Sequence, residues 1–230
     1  MLNIRHYIGP IVLICPVLLA ACHDHPAPSL PDSTQTPAPT QTMTKDSGRT
    51  IIFFGNSLTA GYGLQPDESF PARIGHRLDS LHKTYKIVKA GISGETTSGG
   101  KSRIAWILRQ PADIFVLELG GNDGLRGIPV TTTRDNLQSI IDTVKSKYPK
   151  CKILLVGMRV PPSMGSTYAI AFHDIFVRLA EKNKIPLIPF LLEGVGGDPS
   201  LNQADGIHPN TAGEKIVTET VWKALQPLLI

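Results

Sequence analysis

From residue 50 onward the chain alternates short apolar-rich runs with stretches of helical period, and that alternation leaves few folds open. The runs lie at 51–54, 85–88, 114–119, 153–156 and 186–190. They have the length and composition of strands buried in a parallel sheet. Helical patterns are expected at 70–81, 101–109, 132–147 and 168–182, with a last helix at 211–225. Parallel neighbours need crossover connections, and helices supply them. Five such β/α units predict one α/β domain over 50–230, a three-layer α/β/α arrangement around a five-stranded doubly wound parallel sheet. The units share no sequence period, which argues against a solenoid.

Two segments of another character come first. Residues 1–21 carry Arg5 and His6, then an apolar run over 8–21 interrupted by Pro10 and Pro16. The run is too short to span a bilayer and reads as an export signal. Leu19-Ala20-Ala21-Cys22 resembles a bacterial lipoprotein signal, which implies a lipidated Cys22 at the head of the mature chain. Several acyl chains hold a membrane stably where one does not. The expected location is therefore the bacterial cell envelope, and His23 after the cysteine matches outer-membrane sorting in Gram-negative systems. Residues 22–49 are expected to be a disordered tether, rich in Pro, Thr and Ser with little to bury. At about 3 Å per residue it would reach roughly 70 to 80 Å when extended. His23 and His25 sit on this unsupported terminus, and no metal is expected there.

The formal net charge is +4, with basic residues scattered rather than striped, which argues against nucleic-acid binding. Of three cysteines only Cys151 falls in the domain, so no disulfide within it is expected. Cys151 itself reads as a small packing residue. Residues 94–102 resemble a phosphate loop, but Glu95 stands where its first glycine is required. His76, His82 and His173 lack ligand-spaced partners, while Trp106 and Phe172 read as packing residues. With no H-E-x-x-H and no clustered carboxylates, neither metal nor cofactor is expected.

The chemistry concentrates in turns. The run at 51–54 breaks into Gly55-Asn56-Ser57-Leu58-Thr59, where Gly55 permits a sharp turn. Ser57 would then sit at the carboxyl end of its strand, where open α/β sheets bind ligands. Such a serine is either a nucleophile or the N-cap of the next helix. Far downstream, Asp205-Gly206-Ile207-His208-Pro209 sets an acid and a base three residues apart, and Pro209 disfavours helix at His208. A serine hydroxyl needs an imidazole to take its proton and a carboxylate to hold that imidazole in the right tautomer. Ser57, His208 and Asp205 are accordingly candidate nucleophile, base and orienting acid. The second glycine of G-x-S-x-G is missing, so no strained elbow is expected. Donors for a developing oxyanion could come from the loops at 90–97 and 120–124.

Taken together, Gly55-Asn56-Ser57-Leu58, Gly91 in its loop, Gly120-Gly121-Asn122-Asp123 and Asp205-Gly206-Ile207-His208-Pro209 resemble the four blocks of the SGNH (GDSL-type) hydrolases. The likeness covers about residues 51–225. Residues 117–127 are particularly similar to the branch of thioesterase I/protease I/lysophospholipase L1 and bacterial arylesterases. It implies a flavodoxin-like sheet and a triad of Ser57, His208 and Asp205. It also implies an oxyanion hole made by the N–H groups of Ser57 and Gly91 and the side-chain amide of Asn122. The implied substrates are short-to-medium acyl or aryl esters, thioesters or lysophospholipids, cleaved through an acyl-enzyme without a cofactor. Asn56 departs from the family's usual aspartate, which is generally structural, so activity is expected to survive. Two alternatives are a carbohydrate O-acetylesterase of the same fold and a catalytically silent envelope-binding lipoprotein. Loops 160–167 and 193–202 are expected to shape the acyl pocket.

Overall fold

Strand β1 (Arg49–Gly55) carries Ile51, Ile52, Phe53 and Phe54, all wholly buried. Successive strand side chains point to opposite faces. Phe53 accordingly meets Phe70 edge-on at 5.6 Å, while Phe54 lies 5.4 Å from Phe115 and beneath the Arg103 guanidinium. An apolar run with no polar alternation can be satisfied only in a sheet covered on both sides. The structure, a computed structural model, describes residues 48–229. The readings of residues 1–21, of Cys22 and of nearly all the tether lie outside the described residues.

The other strands are β2 (Tyr85–Gly91), β3 (Ile114–Glu118), β4 (Lys152–Val156) and β5 (Leu187–Ile188). All pair in parallel, in the order β2-β1-β3-β4-β5. The helices are α1 (Ser57–Ala60), α2 (Phe70–Ser80), α3 (Thr97–Ile107), α4 (Gly121–Leu125), α5 (Val130–Lys147), α6 (Ser166–Asn183) and α7 (Thr211–Leu225). The step from β1 to β2 runs one way across the sheet and the later steps run the other. Right-handed crossovers therefore put α2 on one face and α3, α5 and α6 on the opposite one. The packing agrees, with α3 against α5, α5 against α6, and α7 against α2. The order reverses between β1 and β3, and there the carboxyl ends of the strands open a crevice.

Four expectations need correction. β5 is two residues long rather than five, because Pro186 and Pro189 flank Leu187 and Ile188 and cannot donate to a ladder. α3 starts at Thr97, four residues before the expected 101, with the Thr96 side chain capping it. Its Gly100 looks like a helix breaker, but a Cβ there would collide with Leu119, so close packing requires the glycine. Residues 121–125 read as a turn and instead form α4. Trp106 is 66% exposed and packs no core, whereas Phe172 is fully buried as expected. Cys151 is half-buried against the core, and burial pushes its thiol up to about 12.

Candidate active site

β1 ends at Gly55, and Asn56 turns the chain into α1. The Asn56 side chain caps that helix, its Oδ1 accepting the Leu58 N–H at 2.9 Å, so Ser57 is the first helical residue and not the cap. Gly61, at φ 73°, ends the helix after a single turn. Ser57 is buried, with its Oγ 2.8 Å from His208 Nε2, and His208 Nδ1 is 2.7 Å from Asp205 Oδ2. Two segments 151 residues apart thus meet within hydrogen-bond reach. Nδ1–H donating to Asp205 leaves Nε2 unprotonated to accept from the Ser57 hydroxyl. Asp205 is held by its own loop: Oδ1 accepts the backbone N–H groups of Ile207 at 2.9 Å and His208 at 3.0 Å. Those bonds, the His208 N–H foremost, then the imidazole, draw its carboxyl down to about 2. The acid therefore stays ionised throughout the neutral range.

The loop carrying the acid and the imidazole is strapped to the serine turn. The Gln203 backbone N–H donates to the His208 carbonyl at 2.7 Å, and its side-chain amide donates to the carbonyls of Tyr62 (2.7 Å) and Pro209 (3.0 Å). The Tyr62 ring lies 4.7 Å from the imidazole. Asn210 then caps α7 through the N–H groups of Ala212 and Gly213.

Gly91 closes β2 opposite Gly55. A Cβ at Gly91 would collide with the Ala60 nitrogen and the Asn56 carbonyl, so only glycine lets β2 lie against the serine turn. Asn122, on α4, donates from Nδ2 to the Glu95 carbonyl at 3.1 Å. Buried Asp123 anchors α4 to α3 by accepting from the Thr97 backbone N–H (2.9 Å) and hydroxyl (2.5 Å). Ser57, Asn122 and His208 line one cavity of about 220 Å³, with Leu58, Leu125, Met158, Leu192 and Ile207 as apolar walls. Gly91 is not among its lining residues, although Ser93 and Gly94 of the same loop are. The walls also differ from expectation. Met158 and Leu192 contribute, while nothing from loops 160–167 and 193–202 does.

Two buried carboxyls went unread in the sequence. Glu118, at the end of β3, receives hydrogen bonds from Asn56 and Thr59, and burial pushes it up to about 7. Glu214, on α7, accepts the Phe70 N–H at 2.6 Å, and burial likewise pushes it up to about 7. The legible signal was a glutamate inside a strand otherwise apolar on both faces. Between the ordinary value of 4.5 and about 7 the folded domain holds protons that the unfolded chain releases. Folding stability should fall as pH rises through that window. Thermal melting should accordingly be about 3 °C or more higher at pH 5 than at pH 8. Glu214→Gln should flatten that slope, and an unchanged slope would show that Glu214 does not set it.

Among the described residues no group of three or more His, Cys, Asp or Glu could hold a metal, and no helix is long and apolar enough to cross a membrane. Residues 53–216 match the model of the GDSL-like Lipase/Acylhydrolase family. The chain is 40% identical over 185 residues to esterase TesA of Pseudomonas aeruginosa, covering 80% of this chain and 90% of that one. It is 38% identical over 181 residues to thioesterase 1/protease 1/lysophospholipase L1 of Escherichia coli, covering 78% and 85%. The structure resembles that of the psychrotrophic esterase EstA from Pseudoalteromonas, solved inhibited by monoethylphosphonate. The TM-score is 0.73 and the identity 28%, with 78% of this chain and 97% of EstA covered.

Proposed function

The chain belongs to the GDSL-like Lipase/Acylhydrolase family, a family of hydrolases acting on esters, and we propose that it works as a serine esterase through Ser57, His208 and Asp205. The observation that carries this reading is the 2.8 Å approach of His208 Nε2 to Ser57 Oγ, with Asp205 behind the imidazole. Ser57 Oγ attacks the acyl carbon as His208 takes its proton, and the imidazolium is stabilised by the ionised Asp205. The oxyanion is received by the Ser57 N–H and the Asn122 side-chain amide, with the backbone of Ser93 and Gly94, which line the cavity where Gly91 does not, in place to add a third donor. An amide carries two N–H groups, so the bond to the Glu95 carbonyl leaves Asn122 one to offer. Collapse expels the alcohol with the proton from His208. Water, deprotonated by the same imidazole, then cleaves the acyl-enzyme and releases the acid.

The substrates are carboxylic esters with short-to-medium acyl or aryl groups, and thioesters and lysophospholipids fall in the same range. The apolar walls beside Ser57 supply a place for the acyl group. The E. coli relative is named a thioesterase and a lysophospholipase, which supports the wider range. Phosphonate inhibition of EstA supports a serine nucleophile, because a phosphonate traps such a group. A fluorophosphonate probe should label the parent protein, and Ser57→Ala should abolish the labelling. Persistent labelling of the variant would remove the reading. Asn122→Ala should lower kcat on p-nitrophenyl butyrate by about 10² to 10³ while KM moves little. In a substrate panel, acetylated glycans outrunning acyl esters would move the assignment to a carbohydrate O-acetylesterase.

The lipoprotein-like Leu19-Ala20-Ala21-Cys22 supports anchoring of the enzyme to the envelope through a lipidated Cys22. Incorporation of an alkyne-tagged fatty acid, lost in Cys22→Ala, is the expected result. Equal incorporation in that variant would refute the anchor.

A further inference from the structure

Glu95 and Arg103 form an ion pair that no step of the proposed reaction uses, and their side chains are only 6% and 16% exposed. Arg103 Nε donates to Glu95 Oε1 at 2.6 Å and Nη2 donates to Oε2, so the contact has two prongs. The same Nη2 donates to the carbonyls of Ala90 (2.8 Å) and Gly55 (3.3 Å), near the ends of β2 and β1. The guanidinium also lies over the ring of buried Phe54, 4.0 Å from its centroid. A planar group held along its edge by oxygens and on its face by a ring has little freedom left. A Cβ at Gly99 would come within 3.0 Å of Glu95 Cγ, so the glycine leaves that side chain its path to Arg103.

A charged pair taken out of water roughly breaks even against an apolar pair of the same volume, so stability alone does not account for it. Its geometric reach does. Glu95 ends a tight turn, in which the Ile92 N–H donates to the Gly55 carbonyl (3.0 Å) and the Glu95 N–H donates to the Ile92 carbonyl (3.1 Å). Ser93 and Gly94, the middle of that turn, line the cavity with Ser57. The Glu95 carbonyl accepts from Asn122 Nδ2 at 3.1 Å. A carbonyl can only accept, so it decides which end of the Asn122 amide faces it and where the second N–H points. The bonds of Asp123 to Thr97 place α4 and the Asn122 backbone, but they leave the rotation of the Asn122 side chain open.

We propose that Glu95 and Arg103 are positioning residues for the oxyanion donors: the pair ties the end of the 92–95 turn to the carboxyl edge of β1 and β2, and so fixes the carbonyl that aims the Asn122 amide. The inference rests on the esterase reading, in which Asn122 is such a donor.

Two conservative substitutions test it without emptying the site. In Glu95→Gln an amide nitrogen faces the guanidinium, donor against donor, and one prong is lost. In Arg103→Lys a single ammonium replaces the fork and cannot serve the carboxylate and both carbonyls in one geometry. Each should lower kcat on p-nitrophenyl butyrate by about tenfold while KM stays within about twofold, because the donors act on the oxyanion and not on the bound ester. In an Asn122→Ala background each should cost less than about twofold more, since the amide to be aimed is gone. A fault in folding alone would cost as much in either background. Proton–nitrogen correlation spectra give a readout that needs no activity. The Asn122 side-chain amide signals, identified by their loss in Asn122→Ala, should move in both Glu95→Gln and Arg103→Lys. Parental kcat in both variants, the full loss repeated in the Asn122→Ala background, or unmoved amide signals would overturn the proposal. If Ser57→Ala hydrolyses ester as fast as the parent, the esterase reading fails instead, and the amide signals still decide whether the pair aims Asn122.

Discussion

Ser57→Ala should lower kcat on p-nitrophenyl butyrate by about 10⁴ to 10⁶, with the fold unchanged. The geometry explains both halves of that expectation. Ser57 Oγ bonds to the imidazole across the cleft, and its only same-segment contact, to Asn56 Oδ1, is long at 3.4 Å. The turn is held instead by the Asn56 cap on Leu58, by Glu118, and by the contact of Gly91 with Ala60. Removing the hydroxyl takes away the proposed nucleophile and leaves those supports in place. Residual turnover would come from the oxyanion donors and binding alone, which elsewhere retain a factor of about 10³ over water. Steady-state kinetics beside a melting curve checks the result. A variant within tenfold of the parent would mean that the hydroxyl held by His208 is not the group that is acylated.

Asp205→Asn should cost about 10⁴ in kcat with little change in KM. Asp205 Oδ1 already accepts two backbone N–H groups, from Ile207 and His208. An asparagine at 205 must therefore keep its oxygen on that side and turn its NH2 toward His208 Nδ1. Nδ1 must then accept rather than donate, so the ring proton moves to Nε2. The imidazole would hold its place 2.8 Å from Ser57 but could no longer take the serine proton. The charge opposing the imidazolium is lost as well. The same backbone bonds hold Asp205 down to about 2, so the parent should show no acid limb from this group anywhere near neutrality. An Asp205→Asn enzyme retaining a tenth of parental kcat would show that the carboxylate is dispensable for setting the tautomer.

The strands were legible because burial on both faces leaves a run such as Ile51-Ile52-Phe53-Phe54 no polar residue to alternate with. Ser57, Asp205 and His208 were legible because they stand in short polar turns whose residue types have few other uses together. Their supports were not. Glu118 reads as one charge in an apolar strand until the fold brings Asn56, 62 positions away, against it. Gln203 gives no local sign that it will tie Tyr62 to His208. The first turn of α3 was hidden by Gly99 and Gly100, which propensity counts as breakers, although packing against Leu119 favours the second of them. Trp106 was misread because apolar character is a one-way guide to burial.

By itself the sequence determined the order of strands and helices, the layered sheet they must build, and which polar turns lie at its carboxyl edge. Those properties follow from hydrophobic period and backbone stereochemistry, which act over a few neighbouring residues. Only the tertiary structure decided that Glu118 would face the Asn56 amide, that Gly91 would lie beneath the serine turn, and that Met158 and Leu192 would wall the cavity. Each depends on contacts between segments far apart in the chain, and such contacts are set by the packing of the whole sheet rather than by any local pattern.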